Sequence, residues 1–154
     1  MEIKVEVPCT ELVKIHLHNQ YGNPVRFTRG VEQTLFHALI EKCVERTDMK
    51  KDKKEMDTAV DIQITESVYL RRGIYLTNKA VHDFNASITD MIYDALFLNM
   101  EVAGKFTKTK LKIKDCIETF CDVLRLPEEC FSYERCKKAY WRHRYKNKPL
   151  KLSA

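Results

Sequence analysis

The residues in this chain best suited to chemistry are cations, and they are concentrated at one end. From Glu134 to Lys151 there are eight Lys or Arg against one acid, while the whole 154-residue chain carries a net charge of only +5. The rest of the chain is therefore slightly acidic. Placed on a helix at 100° per residue, Arg135, Lys138, Arg142 and Lys146 fall within roughly 80° of one another. Cys136, Tyr140, His143 and Tyr133 fall on a neighbouring arc that suits contact with the body of the protein. Lys137, Arg144 and Lys148 flank the other edge of that arc, with Trp141 and Tyr145 beside them.

A cationic stripe interleaved with aromatic rings suits a polyanion. Lys and Arg neutralise phosphates and release counterions, and aromatic planes stack on exposed bases. The expected partner is nucleic acid, DNA ahead of RNA, gripped by Arg135, Lys138, Arg142, Arg144 and Lys146 with Trp141 and Tyr145 as stacking groups. Two plainer readings compete with it. The cationic stems could cover apolar neighbours on a solvated helix, or the stripe could dock an acidic protein.

A second cationic point is Arg71-Arg72-Gly73, between Val68-Tyr69-Leu70 and Ile74-Tyr75-Leu76. A three-residue connection ending in Gly suits a hairpin, which would present Arg71 and Arg72 at its tip as an auxiliary contact. The Lys-rich run Lys50–Glu55 mixes both signs and reads as a solvated loop. Residues 110–148 also have the outline of a helix-turn-helix. In that motif the second helix enters the major groove with its early residues, here Glu134, Arg135, Lys137 and Lys138, near base edges.

The elements that must position these groups follow from periodicity. Ile3, Val5 and Val7 alternate with Lys4 and Glu6, the pattern of a half-buried strand that ends at Pro8. Val13, Ile15 and Leu17 alternate in the same way and predict a second strand, with Val25-Arg26-Phe27 returning after the turn Tyr21–Pro24. Val60, Ile62 and Ile64 predict another strand, continued by the hairpin around Arg71. Helical spacing of Val31, Leu35, Leu39, Ile40 and Cys43 predicts a helix over 29–46, with Thr28 able to cap it.

Thr77 is placed to cap the longest helix, 78–102, with Val81, Phe84, Ile88, Met91, Ile92, Ala95 and Leu96 on its apolar face and Gly104 just past its end. The part from Ala95 to Met100 is apolar nearly all round. That predicts burial on two sides, within the fold or against an oligomer or protein partner. A helix over 111–126 follows, with Ile113, Cys116, Ile117, Phe120 and Leu124 inward. The basic helix, about 131–148, begins near Ser132.

Composition sets the class. Apolar residues make up 44% and charged residues 32%, with only four Gly and four Pro, as in a globular chain rather than a disordered one. No apolar run reaches the ~18 residues of a membrane span, and Met1–Glu11 has no hydrophobic signal region. The six cysteines include no CxxC pair, and Cys43, Cys116, Cys121 and Cys136 occupy apolar helical positions. They read as reduced thiols in a cytoplasmic protein.

The sequence holds no GxGxxG, GxxxxGK[ST], GxSxG or HExxH motif, and no cofactor or metal site is expected. His16 and His18 lie two apart with no third ligand at metal spacing. His82 and Asp83 with Asn85 read as outward positions of a helix start, and His37 has no sequence-adjacent nucleophile, although a fold can bring Cys9 or Cys130 to a histidine. The reading is one α+β domain over 1–154: a small antiparallel sheet packed against three to four helices, with a basic C-terminal helix. The expected role is a non-enzymatic nucleic-acid-binding accessory or regulatory protein. The rival is a protein-interaction or assembly module, such as an inhibitor or particle subunit, without nucleic acid.

Overall fold

A computed structural model of the chain describes residues 2–27, 30–41, 56–65, 76–106 and 112–146. The order of elements is β1 (Glu2–Cys9), α1 (Glu11–Tyr21), α2 (Val31–Glu41), β2 (Thr58–Thr65), α3 (Asn78–Phe106), α4 (Ile113–Leu124) and α5 (Tyr133–Lys146). This is a small α+β fold with two compact units, Met1–Asp90 and Met91–Ala154.

In the N-terminal unit, β1 and β2 pair antiparallel with Ile3 opposite Ile64, Val5 opposite Ile62 and Val7 opposite Val60. This register puts Ile3, Val5 and Val7 of β1 and Val60, Ile62 and Ile64 of β2 on one face. Val7, Val60 and Ile62 are accordingly buried, while Lys4, Glu6 and Asp61 stay exposed. Val25 adds a single parallel bridge to Ile62, donating to the Asp61 carbonyl at 2.9 Å and accepting from Gln63 N–H at 2.8 Å. The expected return strand over 25–27 is thus reduced to one residue.

The second expected strand is instead helix α1. Thr10 is extended (φ −76°, ψ 158°) and its hydroxyl accepts from Val13 N–H, with Glu11 in the first turn. Those are helix-start signals, and they outweigh the alternation of Val13, Ile15 and Leu17. The buried residues are Leu12, Val13, His16 and Leu17, which is helical spacing. Gly22 ends the helix at φ 85°, donating its N–H to the His18 carbonyl.

Thr77 caps α3 as expected, accepting from Ala80 N–H at 3.1 Å. The helix then runs through Gly104 to Phe106, so Gly104 is an interior glycine rather than a stop. Of the predicted face, Val81, Phe84, Ile88, Ile92 and Leu96 are buried, but Met91 is half-buried and Ala95 exposed. Within the N-terminal unit Asn85, expected to face outward, is instead buried, because its amide ties three segments together. Its Oδ1 accepts from Thr10 N–H at 3.0 Å, and its Nδ2 donates to the Pro8 carbonyl at 3.0 Å and to the Val81 carbonyl at 2.9 Å. The chain's entry from β1 into α1 therefore hangs on one side chain.

In the C-terminal unit Phe131 is fully buried, with Tyr93 at 5.0 Å and Phe120 at 6.1 Å between ring centroids. Helix α4 is closed by Arg125 in the left-handed region, φ 54°, and by Leu126 N–H donating to the Cys121 carbonyl at 2.9 Å. Of the residues expected inward on α4, Ile117 and Phe120 are buried; Ile113, Cys116 and Leu124 are half-buried. The expectations at Thr28, 42–55, 66–75, 107–111 and 147–154, including the hairpin of Arg71 and Arg72, lie outside the described residues.

Candidate nucleic-acid interface

Helix α5 starts where Ser132 and Glu128 supply acceptors. Arg135 N–H donates to Ser132 Oγ at 3.2 Å, and Tyr133 N–H donates to the Glu128 carboxylate at 3.1 Å. One face of the helix is anchored within the C-terminal unit. Cys136 is fully buried, Tyr140 lies 6.3 Å from the Phe97 ring, and His143 stacks on that ring at 4.4 Å and an interplanar angle of 17°. His143 Nε2 also meets Glu101 Oε1 at 3.2 Å. These are the residues whose arc was expected to face the body. Their partners, Phe97 and Glu101, carry no local sequence signal because they lie some 40 positions away.

With that face fixed, helical geometry turns the opposite face outward. Arg135, Lys138, Arg142, Arg144 and Lys146 are all exposed. Trp141 is 46% and Tyr145 81% exposed. Arg144 lies over the Trp141 ring at 5.7 Å, and Lys137 over Tyr133 at 5.8 Å, so two cations are partly shared with aromatic faces. Among the described residues no ion pair involves Arg135, Lys138, Arg142 or Lys146. Basic residues in the last turn, including Arg144 and Lys146, also suit the negative end of the helix dipole. The structure thus brings seven of the nine candidate residues onto one helix; Arg71 and Arg72 lie outside the described residues.

The approach to α5 differs from a compact helix-turn-helix. Helices α4 and α5 are separated by residues 125–132, longer than the ~3–4-residue turn of that motif. Beside this connection lies a cavity of about 570 Å³ whose lining includes Glu118, Cys121, Asp122 and Glu128. Three carboxylates against one cation, Lys114, make this lining unfavourable for phosphate. Burial, then Glu128 and Asp122, push the Cys121 thiol up, which keeps it protonated and a poor nucleophile.

The other polar cluster that the sequence did not reveal is in the N-terminal unit. Tyr21 Oη donates to Glu32 Oε2 at 2.8 Å, and His16 Nε2 lies 3.3 Å from Glu32 Oε1. Burial alone would raise the Glu32 carboxyl; its own backbone N–H, Tyr21 and His16 outweigh that and hold it below its ordinary value. Burial, and then the Glu32 carboxylate, push Tyr21 up to about 12. Gly30 lies beside this cluster at φ 113°, a backbone conformation that favours glycine.

His16 and His18 do not share a site. His16 faces Glu32, whereas His18 Nε2 is buried with no hydrogen-bond partner, and burial, then Lys14, lower its pKa. Among the described residues no group of three or more His, Cys, Asp or Glu is placed to hold a metal. None of the described helices is long and apolar enough to cross a membrane. No family model, curated protein or solved structure matches the chain.

Proposed function

We propose that this protein binds nucleic acid through the outward face of α5. The observation that carries the reading is the division of that helix. Cys136, Tyr140 and His143 fix one side, while Arg135, Lys138, Arg142 and Lys146 stand exposed on the other, without an ion pair among the described residues. Four cations on one arc of a rigid helix match a line of phosphates, and their counterion release supplies affinity that does not depend on sequence.

A helix of 14 residues spans about 21 Å and fits the ~12 Å wide major groove of B-DNA. The major groove of A-form RNA is too narrow to admit side chains in this way. Duplex DNA is therefore the preferred partner, with Trp141 and Tyr145 available to stack where bases are unpaired. The protein acts as an accessory or regulatory factor and not as an enzyme.

The test is fluorescence anisotropy of labelled duplex DNA, single-stranded DNA and RNA, each titrated with the wild type and with Arg135→Ala/Lys138→Ala/Arg142→Ala. Binding by the wild type, tightest on the duplex and lost in the triple variant, supports the reading. Absence of binding at low salt removes it.

A second reading, a protein-contact module, is favoured by a different observation: Leu98 and Val102 on α3 are 62% and 45% exposed. The apolar stretch Ala95–Met100 is covered on one side only, at Leu96, Phe97 and Met100.

A further inference from the structure

Phosphates account for the cations of α5 but not for the two large rings beside them. Trp141 and Tyr145 are exposed, and they lie about 60–100° round the helix from the middle of the cationic stripe. They occupy the flank between that stripe and the packed side of Cys136, Tyr140 and His143. Two turns earlier the same flank carries Glu134, also exposed. The exposed rings are therefore confined to the C-terminal half of α5, while the cations run from Arg135 to Lys146.

Trp141 is also supported from behind. Ring contacts run outward from the buried Phe97 to Tyr140 at 6.3 Å and from Tyr140 to Trp141 at 5.7 Å between centroids. Arg144 stands over the Trp141 ring at 5.7 Å. A ring held in this way, with a cation against it, is a stacking platform with a phosphate contact at its side. Little of it has to be ordered on binding.

An intact duplex cannot use this platform. Within B-form DNA the base faces are covered by their neighbours, and the grooves display only base edges. Cations meet the phosphates of duplex and single strand alike, whereas rings stack on bases that have left the pair. We propose that the ligand of α5 is the junction at which duplex DNA opens into a single strand. The duplex phosphates meet Arg135 and Lys138, and the first unpaired bases stack on Trp141 and Tyr145. Arg142, Arg144 and Lys146 hold the phosphates of the unpaired strand beside those rings. The inference rests on the α5 reading and adds the form of DNA that the site selects. Tailed ends, gaps and partly opened duplexes all present that chemistry.

Trp141 is the only tryptophan in the chain, so its emission reports the contact directly. The full chain would be titrated against a blunt duplex, the same duplex with a short thymidine tail, and that duplex with a tail of abasic units. The two tails carry equal charge, so a difference between them comes from the bases. Binding to the thymidine tail should be about tenfold tighter than to the abasic one. Trp141 emission should be quenched by the thymidine tail and not by the other two forms. Trp141→Ala/Tyr145→Ala should bring the two tailed affinities together, and Trp141→Phe/Tyr145→Phe, which keeps both rings, should restore most of the difference. Tyr145→Ala alone serves if the double variant loses helical circular dichroism, and it should reduce the difference about threefold.

Equal affinity for the two tails overturns the proposal, as does a difference that the alanine variants leave intact. A free single strand bound as tightly as the tailed duplex overturns it in favour of plain single-strand binding. Salt-sensitive binding of all three duplexes without discrimination removes this inference and leaves the α5 reading standing. Absence of binding to every form removes both.

Discussion

In the N-terminal unit the Glu32 carboxylate is held by Tyr21 and His16, whereas in the C-terminal unit Arg142 and Lys146 stand exposed and pair with no acid among the described residues. The contrast extends beyond these groups. Asn85 spends its amide on the backbone of Thr10, Pro8 and Val81, and Lys14 Nζ donates to Thr58 Oγ1 at 3.0 Å. In the first unit these buried and half-buried polar groups fasten elements to one another. In the second, rings do the fastening: Phe131 packs with Tyr93 and Phe120, and Phe97 with His143. The charge is left over. Polar groups paired internally define architecture, and a cluster of like charges at the surface is where a partner of opposite charge is to be sought.

The comparison can be broken most forcefully at Phe131. Phe131→Ala empties the centre of the C-terminal aromatic cluster and should destabilise by about 3–5 kcal/mol, read as a lowered urea midpoint. Because α5 leans on this cluster, polyanion binding should fall with it although no cation has been changed. Next is Asn85→Ala, which strands the Thr10 N–H and the Pro8 carbonyl. About 2–3 kcal/mol should be lost. DNA binding should survive under conditions where the variant remains folded, because the damage lies in the other unit.

Glu32→Gln should have a smaller effect, about 1–2 kcal/mol at neutral pH, from weakened bonds to Tyr21 and His16. Its sign with pH is fixed by the lowered folded pKa. The carboxylate's contribution is complete above its ordinary value of 4.5 and is lost as pH falls through the lower folded value. Urea titrations at pH 7 and pH 4 should therefore show the gap between wild type and Glu32→Gln narrowing in acid. The smallest structural effect belongs to Arg142→Ala, which should leave the urea midpoint unchanged. It should still reduce the salt dependence of DNA binding by about 0.9 in log–log slope.

Much of this was legible in the chain itself, for physical reasons that differ by segment. Strands β1 and β2 were legible because each buries one face, which writes a period of two into Ile3-Val5-Val7 and Val60-Ile62-Ile64. Helix α3 was legible from Thr77 and its apolar face. Helix α1 was misread because Val13, Ile15 and Leu17 fit a strand as well as a helix, and the cap at Thr10 carried the deciding information. The inward arc of α5 was visible in the spacing of Cys136, Tyr140 and His143. Its anchors Phe97 and Glu101 were not, because contacts between distant segments leave no periodic trace. The same holds for Tyr21, Glu32 and His16. The bare side of Leu98 was hidden in a stretch that reads as apolar on every side, since sequence cannot say which face the fold covers.

The central claim is that the outward cations of α5 meet phosphates, and its most direct test is the salt dependence of duplex binding. Affinity of the wild type for a short labelled duplex would be measured by anisotropy from about 20 to 300 mM NaCl. If Arg135, Lys138, Arg142 and Lys146 each neutralise one phosphate, log affinity should fall with log salt at a slope near −3.6, and near −0.9 once Arg135, Lys138 and Arg142 are alanine. A slope close to zero, or one that the triple variant leaves unchanged, would contradict the account.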